Sequence, residues 1–513
     1  MRAAVVVTSA AQSAARDQAA IAAGVPSRAL MRAAGLAAAG EIVRRFAGRG
    51  LRRRGVAIFA GPGNNGGDAW VVAGALAAGG IPVRVVAVGE TRTPDAIAER
   101  ALSGVGAAEP TGAEPVVVDG LLGTGSVGAP RGGIATAVTR IAAMRAAGAA
   151  VVALDIPTGV DATTGAAAGA VMADLTLTFG TMKRGLLVAR GHAGAIVVLD
   201  IGLGTAAALD DGAPELVDAD WVGARVPPIA ADSNKGTRRR VAIVAGGPGM
   251  VGAALLAARA AHASGIGLVR LFVAESNVSV AQIAGYESLA FPWPADADAV
   301  REQIASFAHA VLLGPGLGTS SESRDVAERV LRGWGGPTVV DADALNLFAG
   351  HIPGLAGLLD RRPALITPHP QEFARLVGGA VDDVLDQRFD IGVDVARTLG
   401  AAVLLKGVPT VVTGPTGARV VSAAGSPVLA AGGSGDLLAG IAATMLAQTG
   451  DPVVSAGVAA WVHGRAAELA GGDRVRGVSL DDVLRALPAV WESARRRARS
   501  AYPVLAELPR VGE

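Results

Sequence analysis

The stretch Ala430-Ala431-Gly432-Gly433-Ser434-Gly435-Asp436-Leu437-Leu438-Ala439-Gly440 joins a glycine loop to an apolar, helix-like run, with one acid at the junction. Glycines that end at a helix N-terminus leave amide groups unpaired, and together with the helix dipole these form a hole for a phosphate. An acid just inside that helix is placed to deprotonate a hydroxyl attacking a phosphoryl group. A glycine loop capped by an aspartate is common by itself. Here it has companions: Gly314-Pro315-Gly316-Leu317-Gly318, Asp341-Ala342-Asp343-Ala344-Leu345, Thr367-Pro368-His369-Pro370-Gln371-Glu372 and Leu405-Lys406-Gly407. Each falls at or just past a segment that reads as a strand, where a reaction site is expected.

The first half carries its own set. Gly61-Pro62-Gly63-Asn64-Asn65-Gly66-Gly67-Asp68 offers backbone amides at a helix start, suited to an anion, and side-chain oxygens suited to a hard cation. Asp119 precedes Gly123-Thr124-Gly125, and Asp155 lies in Leu154-Asp155-Ile156-Pro157-Thr158-Gly159-Val160-Asp161. Any one of these aspartates alone reads as a cap or a turn brace. Acids at successive strand ends read as a pocket.

The elements that position these residues follow one grammar: a short β-branched run, a glycine-rich turn, then an alanine-rich helical segment. That alternation predicts an α/β fold, with parallel sheets and covering helices. Val56–Ala60, Val83–Val88, Val116–Asp119, Val151–Asp155, Leu175–Phe179 and Ile196–Leu199 are the predicted strands of the first half. Val241–Ala245, Leu268–Val273, Val311–Leu313, Val339–Asp341, Leu365–Thr367 and Val403–Leu405 are those of the second. The pattern stops between about Thr205 and Asn234, where Pro214, Pro227, Pro228 and several aspartates read as a linker.

Bulk properties narrow the class. A chain of 513 residues needs at least two cores, and 51% hydrophobic residues can fill them. A net charge of +1 argues against a nucleic-acid partner. The runs Arg52-Arg53-Arg54, Arg238-Arg239-Arg240 and Arg495-Arg496-Arg497 read as solvated charge, the second with a phosphate site in view. The absence of cysteine excludes disulfides, thiolate catalysis and cysteine-ligated metals. Six scattered histidines show no metal-ligand spacing. No apolar run reaches membrane-spanning length unbroken, so no membrane partner is expected. Met1 to Ala11 runs directly into the charged, helix-like Ala15-Arg16-Asp17-Gln18, which reads as a cytoplasmic start.

Two matches to G-x-G-x-x-G, at Gly61–Gly66 and Gly247–Gly252, make a tandem dinucleotide-binding dehydrogenase the rival reading, with Glu90 as its ribose-binding acid. Among 71 glycines such matches arise cheaply, and proline inside both fits a redox fold poorly.

Residues 1–205 resemble the NAD(P)H-hydrate epimerase family, including Asp17 to Gly24 and Leu30-Met31-Arg32-Ala33-Ala34-Gly35. The resemblance implies a Rossmann-like domain that interconverts the R and S hydrates at C6 of the nicotinamide ring. Its substrate would meet Asn64, Asn65, Gly66, Gly67 and Asp68, the loop Gly123, Thr124, Gly125, Ser126, Val127, Gly128 and Ala129, and Asp155. A potassium ion would fall on Asn65, Asp119 and Thr158. Asp155 is then the residue to assist loss and return of water at the ring carbon. Where the family follows its Asp with Gly, this chain has Ala69 and then Trp70, and a methyl group there is expected to crowd the substrate loop.

Residues 233–495 are similar to the ADP- or ATP-dependent NAD(P)H-hydrate dehydratase family, a branch of the ribokinase-like fold. That resemblance implies that Lys406, Gly407, Val408, Pro409, Thr410 and Gly435 contact the nucleotide. Ala253, Gly316, His369 and Asp436 would contact the hydrated dinucleotide, with Asp436 as catalytic base and magnesium accompanying the nucleotide. A packed loop histidine would look the same as His369. Ser233-Asn234-Lys235-Gly236 has Asn where the family often has His. The expected organisation is an epimerase domain over 1–215, a linker over 216–232 and a dehydratase domain over 233–500. The small-molecule partners would be the hydrates NADHX and NADPHX and an adenine nucleotide, with a homo-oligomer left open. The alternative is a ribokinase-like small-molecule kinase with a non-catalytic N-terminal binding domain.

Overall fold

The structure, a computed structural model, describes residues 4–496 and 501–511. The last residue of the third arginine run, Arg497, and the expected domain end at residue 500 lie outside them. The described chain forms two compact units. One holds the chain up to Leu216 together with the C-terminal strand Val504–Leu508, and the other runs from Val217 through the helix Leu480–Arg496.

In the first unit the strands lie in the order Val504–Leu508, Ala195–Leu199, Leu175–Phe179, Ala150–Leu154, Val116–Gly120, Val56–Ala60, Val83–Ala87. All neighbours are parallel except the first pair. Four of these strands, Val56–Ala60, Val116–Gly120, Ala150–Leu154 and Leu175–Phe179, are buried at every residue, as expected for a sheet covered on both faces. The six strands expected here are each present to within one residue at either end. Val504–Leu508 was not expected. Its pairing partner is some 300 residues away in sequence, beyond the reach of any local pattern.

The second unit orders Leu289–Pro292, Leu268–Val273, Arg240–Val244, Ala310–Leu313, Thr338–Val340, Ala364–Ile366 and Ala402–Leu405 in parallel, then adds Thr410–Thr413 and Arg419–Ser422 antiparallel. Alternate residues of one strand feed different cores: Val241 and Ile243 join one apolar cluster, Ala242 and Val244 the other. The helix Ser434–Thr449, which begins at the glycine loop, is buried continuously from Leu437 to Ala447. Gly440 lets it approach the helix Val251–Ala263 closely, since a Cβ there would come within 2.1 Å of the Ala257 carbonyl oxygen. That contact fixes the height of the loop.

Two expectations are corrected. The segment 216–232 is not a simple linker. Asp218 accepts from the Trp221 amide at 2.7 Å and caps the helix Ala219–Arg225, and Trp221 packs against Gly457 of the same unit. Proline and acid content suggested a spacer, but one acid is a cap and the tryptophan supplies the burial. The run Arg238-Arg239-Arg240 opens the strand Arg240–Val244, at the end opposite the carboxyl-terminal edge where the site motifs stand. It therefore has no phosphate role at the site.

Deleting the chain beyond Ala501 removes Val504, Ala506 and Leu508, all buried against the strand Ala195–Leu199. The first unit should lose about 3–6 kcal/mol of stability. Hydrogen exchange at the Ala195–Leu199 amides checks this, and unchanged protection would refute it.

Candidate active sites

The carboxyl ends of the first unit's strands open on a cavity of about 590 Å³. Of the expected residues, Asn64, Asn65, Asp68, Gly123, Thr124, Gly125, Ser126 and Asp155 line it. Others serve the frame. A Cβ on Gly66 would meet the Gly61 oxygen at 1.9 Å and one on Gly67 the Met31 sulfur at 2.6 Å, so these glycines let the helix Asn64–Ala78 close on its neighbours. Val127, Gly128 and Ala129 are not on the cavity lining, and Val127 is 84% exposed.

Asp155 takes φ 61°, a left-handed conformation rare outside glycine, immediately after its strand. Its Oδ1 receives Lys183 Nζ at 2.7 Å, Thr178 Oγ1 at 3.3 Å and the Phe179 amide at 3.4 Å. Asp17 and Lys183 also line the cavity, and neither was singled out as a site residue from the sequence. A signal was present. Of 46 Lys and Arg residues only Lys183, Lys235 and Lys406 are lysines, and two of these sit at the two sites. Burial pushes the Asp17 and Asp68 carboxyls up, well above the ordinary range for Asp68; Asp155 adds to this in both and Lys183 opposes it.

Behind the cavity Asp119 is fully buried. Its carboxylate accepts from Thr158 Oγ1 at 2.7 Å, the Thr158 amide at 2.8 Å and the Leu121 amide at 3.2 Å. Burial raises it to about 6 against those hydrogen bonds. Asn65 Nδ2 donates to the Leu122 oxygen at 2.9 Å, while its Oδ1 is buried without a partner. Leu122 links these residues, its oxygen accepting from Asn65 and its amide donating to Thr158 Oγ1 at 3.1 Å. An orphaned amide oxygen, a carboxylate and a hydroxyl are the oxygen donors that suit a hard cation.

In the second unit Asp341, just beyond Thr338–Val340, accepts from Lys406 Nζ at 2.6 Å and Thr367 Oγ1 at 2.7 Å on Oδ1. Its Oδ2 is buried and unpartnered. Lys406 Nζ also lies against Gly435, where a Cβ would come within 3.2 Å. Asp436 follows in the first turn of the helix, its carboxyl raised to about 7 by burial and then by the negative charge of Asp341. Asp343 Oδ2 accepts from the Gly318 amide at 2.8 Å, tying two of the motifs together. Gly316, at φ 55°, would place a Cβ 2.9 Å from Ala253 Cβ, so these two expected substrate residues are neighbours.

Gly407, Val408, Pro409 and Thr410 form the turn before the hairpin, where Thr410 Oγ1 donates to the Gly407 oxygen at 2.9 Å. His369 caps the helix Pro370–Val377: Nδ1 accepts from the Gln371 and Glu372 amides at 3.1 and 3.3 Å. Burial and then Lys406 push its pKa below the usual imidazole value. Its Nε2 lies 3.4 Å from Glu372 Oε1, so both ring nitrogens are engaged with the helix it caps. His463 was not singled out from the sequence. It is buried in the helix Pro452–Gly471 and pushed down to about 4 by burial and Lys406.

Residues 241–489 match the family model described as NAD(P)H-hydrate dehydratase, and residues 27–185 match that of the YjeF-related protein N-terminus. Over 497 residues the chain is 34% identical to a bifunctional NAD(P)H-hydrate repair enzyme of Moorella thermoacetica, covering 91% of this chain and 92% of the relative. The chain belongs to the bifunctional NAD(P)H-hydrate repair enzyme family. An Escherichia coli relative of the same name is 33% identical over 446 residues, covering 84% of each chain. A solved ADP/ATP-dependent NAD(P)H-hydrate dehydratase from Bacillus subtilis is 29% identical, covers 54% of this chain and 97% of its own, and has a TM-score of 0.48. Family membership sets aside the tandem dehydrogenase.

The expected crowding by Ala69 does not occur. Its methyl group is buried in the core against Gly120, where a Cβ would lie 2.5 Å away, and it is not on the cavity lining. Ala69→Gly should cost about 1–2 kcal/mol of stability through helix propensity and lost packing, with no gain in activity. Thermal denaturation and an interconversion assay check this together, and faster turnover in the variant would count against it.

If Asp436 is the base expected from the sequence it must be ionised, so with its carboxyl at about 7 the rate of the second unit should fall tenfold per pH unit below that value. Asp436→Asn should lower turnover by ~100- to 10,000-fold while nucleotide binding persists. A retained acid limb in the variant would assign that limb to another group.

Proposed function

We propose that the chain repairs hydrated NADH and NADPH. The first unit interconverts the R and S hydrates at C6, and the second dehydrates the S form at the expense of ADP or ATP. The observation that carries this is Asp436 beside the glycine loop, with the Lys406 ammonium against Gly435. Hydroxide is a poor leaving group and phosphate a good one. Asp436 takes the proton of the C6 hydroxyl as its oxygen attacks the terminal phosphorus, and the P–O bond to the nucleotide breaks with its electron pair. Loss of a C5 proton then expels phosphate from C6 and restores the dihydropyridine.

Lys406 to Thr410 and Gly435 are the nucleotide side of this site, and Ala253, Gly316, His369 and Asp436 the hydrate side. Magnesium keeps most of its shell as water and phosphate oxygens and needs only one or two carboxylates. Asp341, with its buried, unpartnered Oδ2, fits that need. In the first unit Asn65 Oδ1, Asp119 and Thr158 Oγ1 would hold a potassium ion, which supplies positive charge behind the loop Gly123–Ser126. Asp155 assists loss and return of water at the ring carbon. The hydrates and the adenine nucleotide are the partners, and a cytoplasmic setting suits them.

The decisive experiment supplies mixed R and S NADH hydrates with ADP or ATP and follows recovery of dihydropyridine absorbance and release of inorganic phosphate. A stable phosphate ester as product would instead make the second unit a small-molecule kinase. Wild type should consume the whole mixture, whereas Asp155→Ala should stall when the S form is gone. Complete consumption by that variant, with spontaneous interconversion subtracted, would remove Asp155 from the reaction.

A further inference from the structure

Asp17, Asp68, Asp155 and Lys183 line one cavity in the first unit, and with Asp95, which is bound to Ser27, they make four carboxyls to a single ammonium. The lysine side chain is 2% exposed, and its three donors meet three acceptors: Asp155 Oδ1 at 2.7 Å, the Phe179 oxygen at 2.8 Å and the Thr181 oxygen at 3.4 Å. An ammonium so held is fixed in place. One buried positive charge offsets only part of the cost of burying Asp17, Asp68 and Asp155, and the two that are not in contact with it gain by holding protons. The upward displacement of Asp17 and Asp68 follows from that, burial being the leading cause. Asp68 is only 9% exposed, while Asp17 is half-buried and more open to a ligand.

Other charged groups nearby are engaged. Asp95 on the cavity lining accepts from Ser27 Oγ at 2.6 Å, and Arg16 is bound to Asp211 at 2.7 Å. The composition points the same way. This chain uses arginine almost wherever it needs a cation, yet keeps a lysine here. A compact ammonium meets the three acceptors with its own three donors.

We propose that Lys183 is a positioning residue that keeps Asp155 as the ionised base, and that Asp17 is the proton donor working with it; this rests on the epimerase reading above. Asp17 gives its carboxyl proton to the C6 hydroxyl. The C6–O bond breaks, its electron pair leaves with water, and the N1 lone pair forms a C6=N1 bond. Water adds to the opposite face of the planar cation with its own electron pair, and the C6=N1 π pair returns to N1. Asp155 takes the surplus proton. One proton has passed from Asp17 to Asp155, nothing is oxidised or reduced, and exchange with solvent resets the pair.

The test uses the full chain and purified R hydrate, following conversion to S by chromatography over a range of pH. Asp17→Asn should lower kcat by ~100- to 10,000-fold with little change in KM. Lys183→Met should move the low-pH limb of kcat/KM to higher pH, because Asp155 without the ammonium keeps its proton longer. Lys183→Arg, which retains the charge, should bring the limb back. A merely structural lysine would lower the rate and leave the limb in place. Near wild-type turnover in Asp17→Asn, or an unmoved limb in Lys183→Met, overturns the proposal. Should Lys183→Met not fold, Asp17→Asn, altered at a half-buried position, decides the matter. A wild type without interconversion removes the epimerase reading and this inference with it; an active wild type with indifferent variants removes this inference alone.

Discussion

In each unit a lysine ammonium sits against a carboxylate just beyond a parallel strand, Lys183 on Asp155 at 2.7 Å and Lys406 on Asp341 at 2.6 Å. Ion pairs taken out of water are stable only when their remaining hydrogen-bonding capacity is met. Lys183 meets it with two backbone oxygens. Asp341 meets it in part, with the Thr367 hydroxyl on Oδ1, and its Oδ2 stays unpartnered. The rest of each site is arranged around this charge. The ammonium opposes the upward push of burial on the carboxyls around it, Asp17 and Asp68 in the first unit and Asp436 in the second.

The second unit shows how packing sets that chemistry. Gly440 allows two helices to touch, which sets the helix Ser434–Thr449 in its place, with the glycine loop and Asp436 at its start. Gly435 lies against Lys406, whose Nζ would be 3.2 Å from a Cβ placed there. Asp436, most of its surface removed from water and facing other acids, is raised to about 7, close to the range where a base works best. The loop, the lysine and the acid are one device.

The first unit uses the same physics with more acids and a strained backbone. Asp155 leaves its strand at φ 61°, and its carboxylate is held by three donors, Lys183 among them. Asp119, fully buried at the end of the neighbouring strand, is held instead by Thr158 and the Leu121 amide. Two carboxylates at neighbouring strand ends thus face different environments.

The sequence by itself determined the parallel strands of both sheets except Leu289–Pro292, since β-branched runs alternate with alanine-rich helical stretches, and it located the glycine loops and strand-end acids. Those signals are local, and local periodicity carries them. What only the tertiary structure decided is set by contacts between distant residues. Lys183 reaches its site because Met182–Lys183 pairs with Val7–Thr8, a register written in neither segment. Asp17 is one acid on an ordinary helix until the cavity forms beside it. Val504–Leu508 completes a sheet begun at the other end of the chain, and Trp221 turns an apparent spacer into part of a core. Ala69 looks obstructive in the motif and is harmless in the fold, because a helix shows a motif's consecutive residues to different sides.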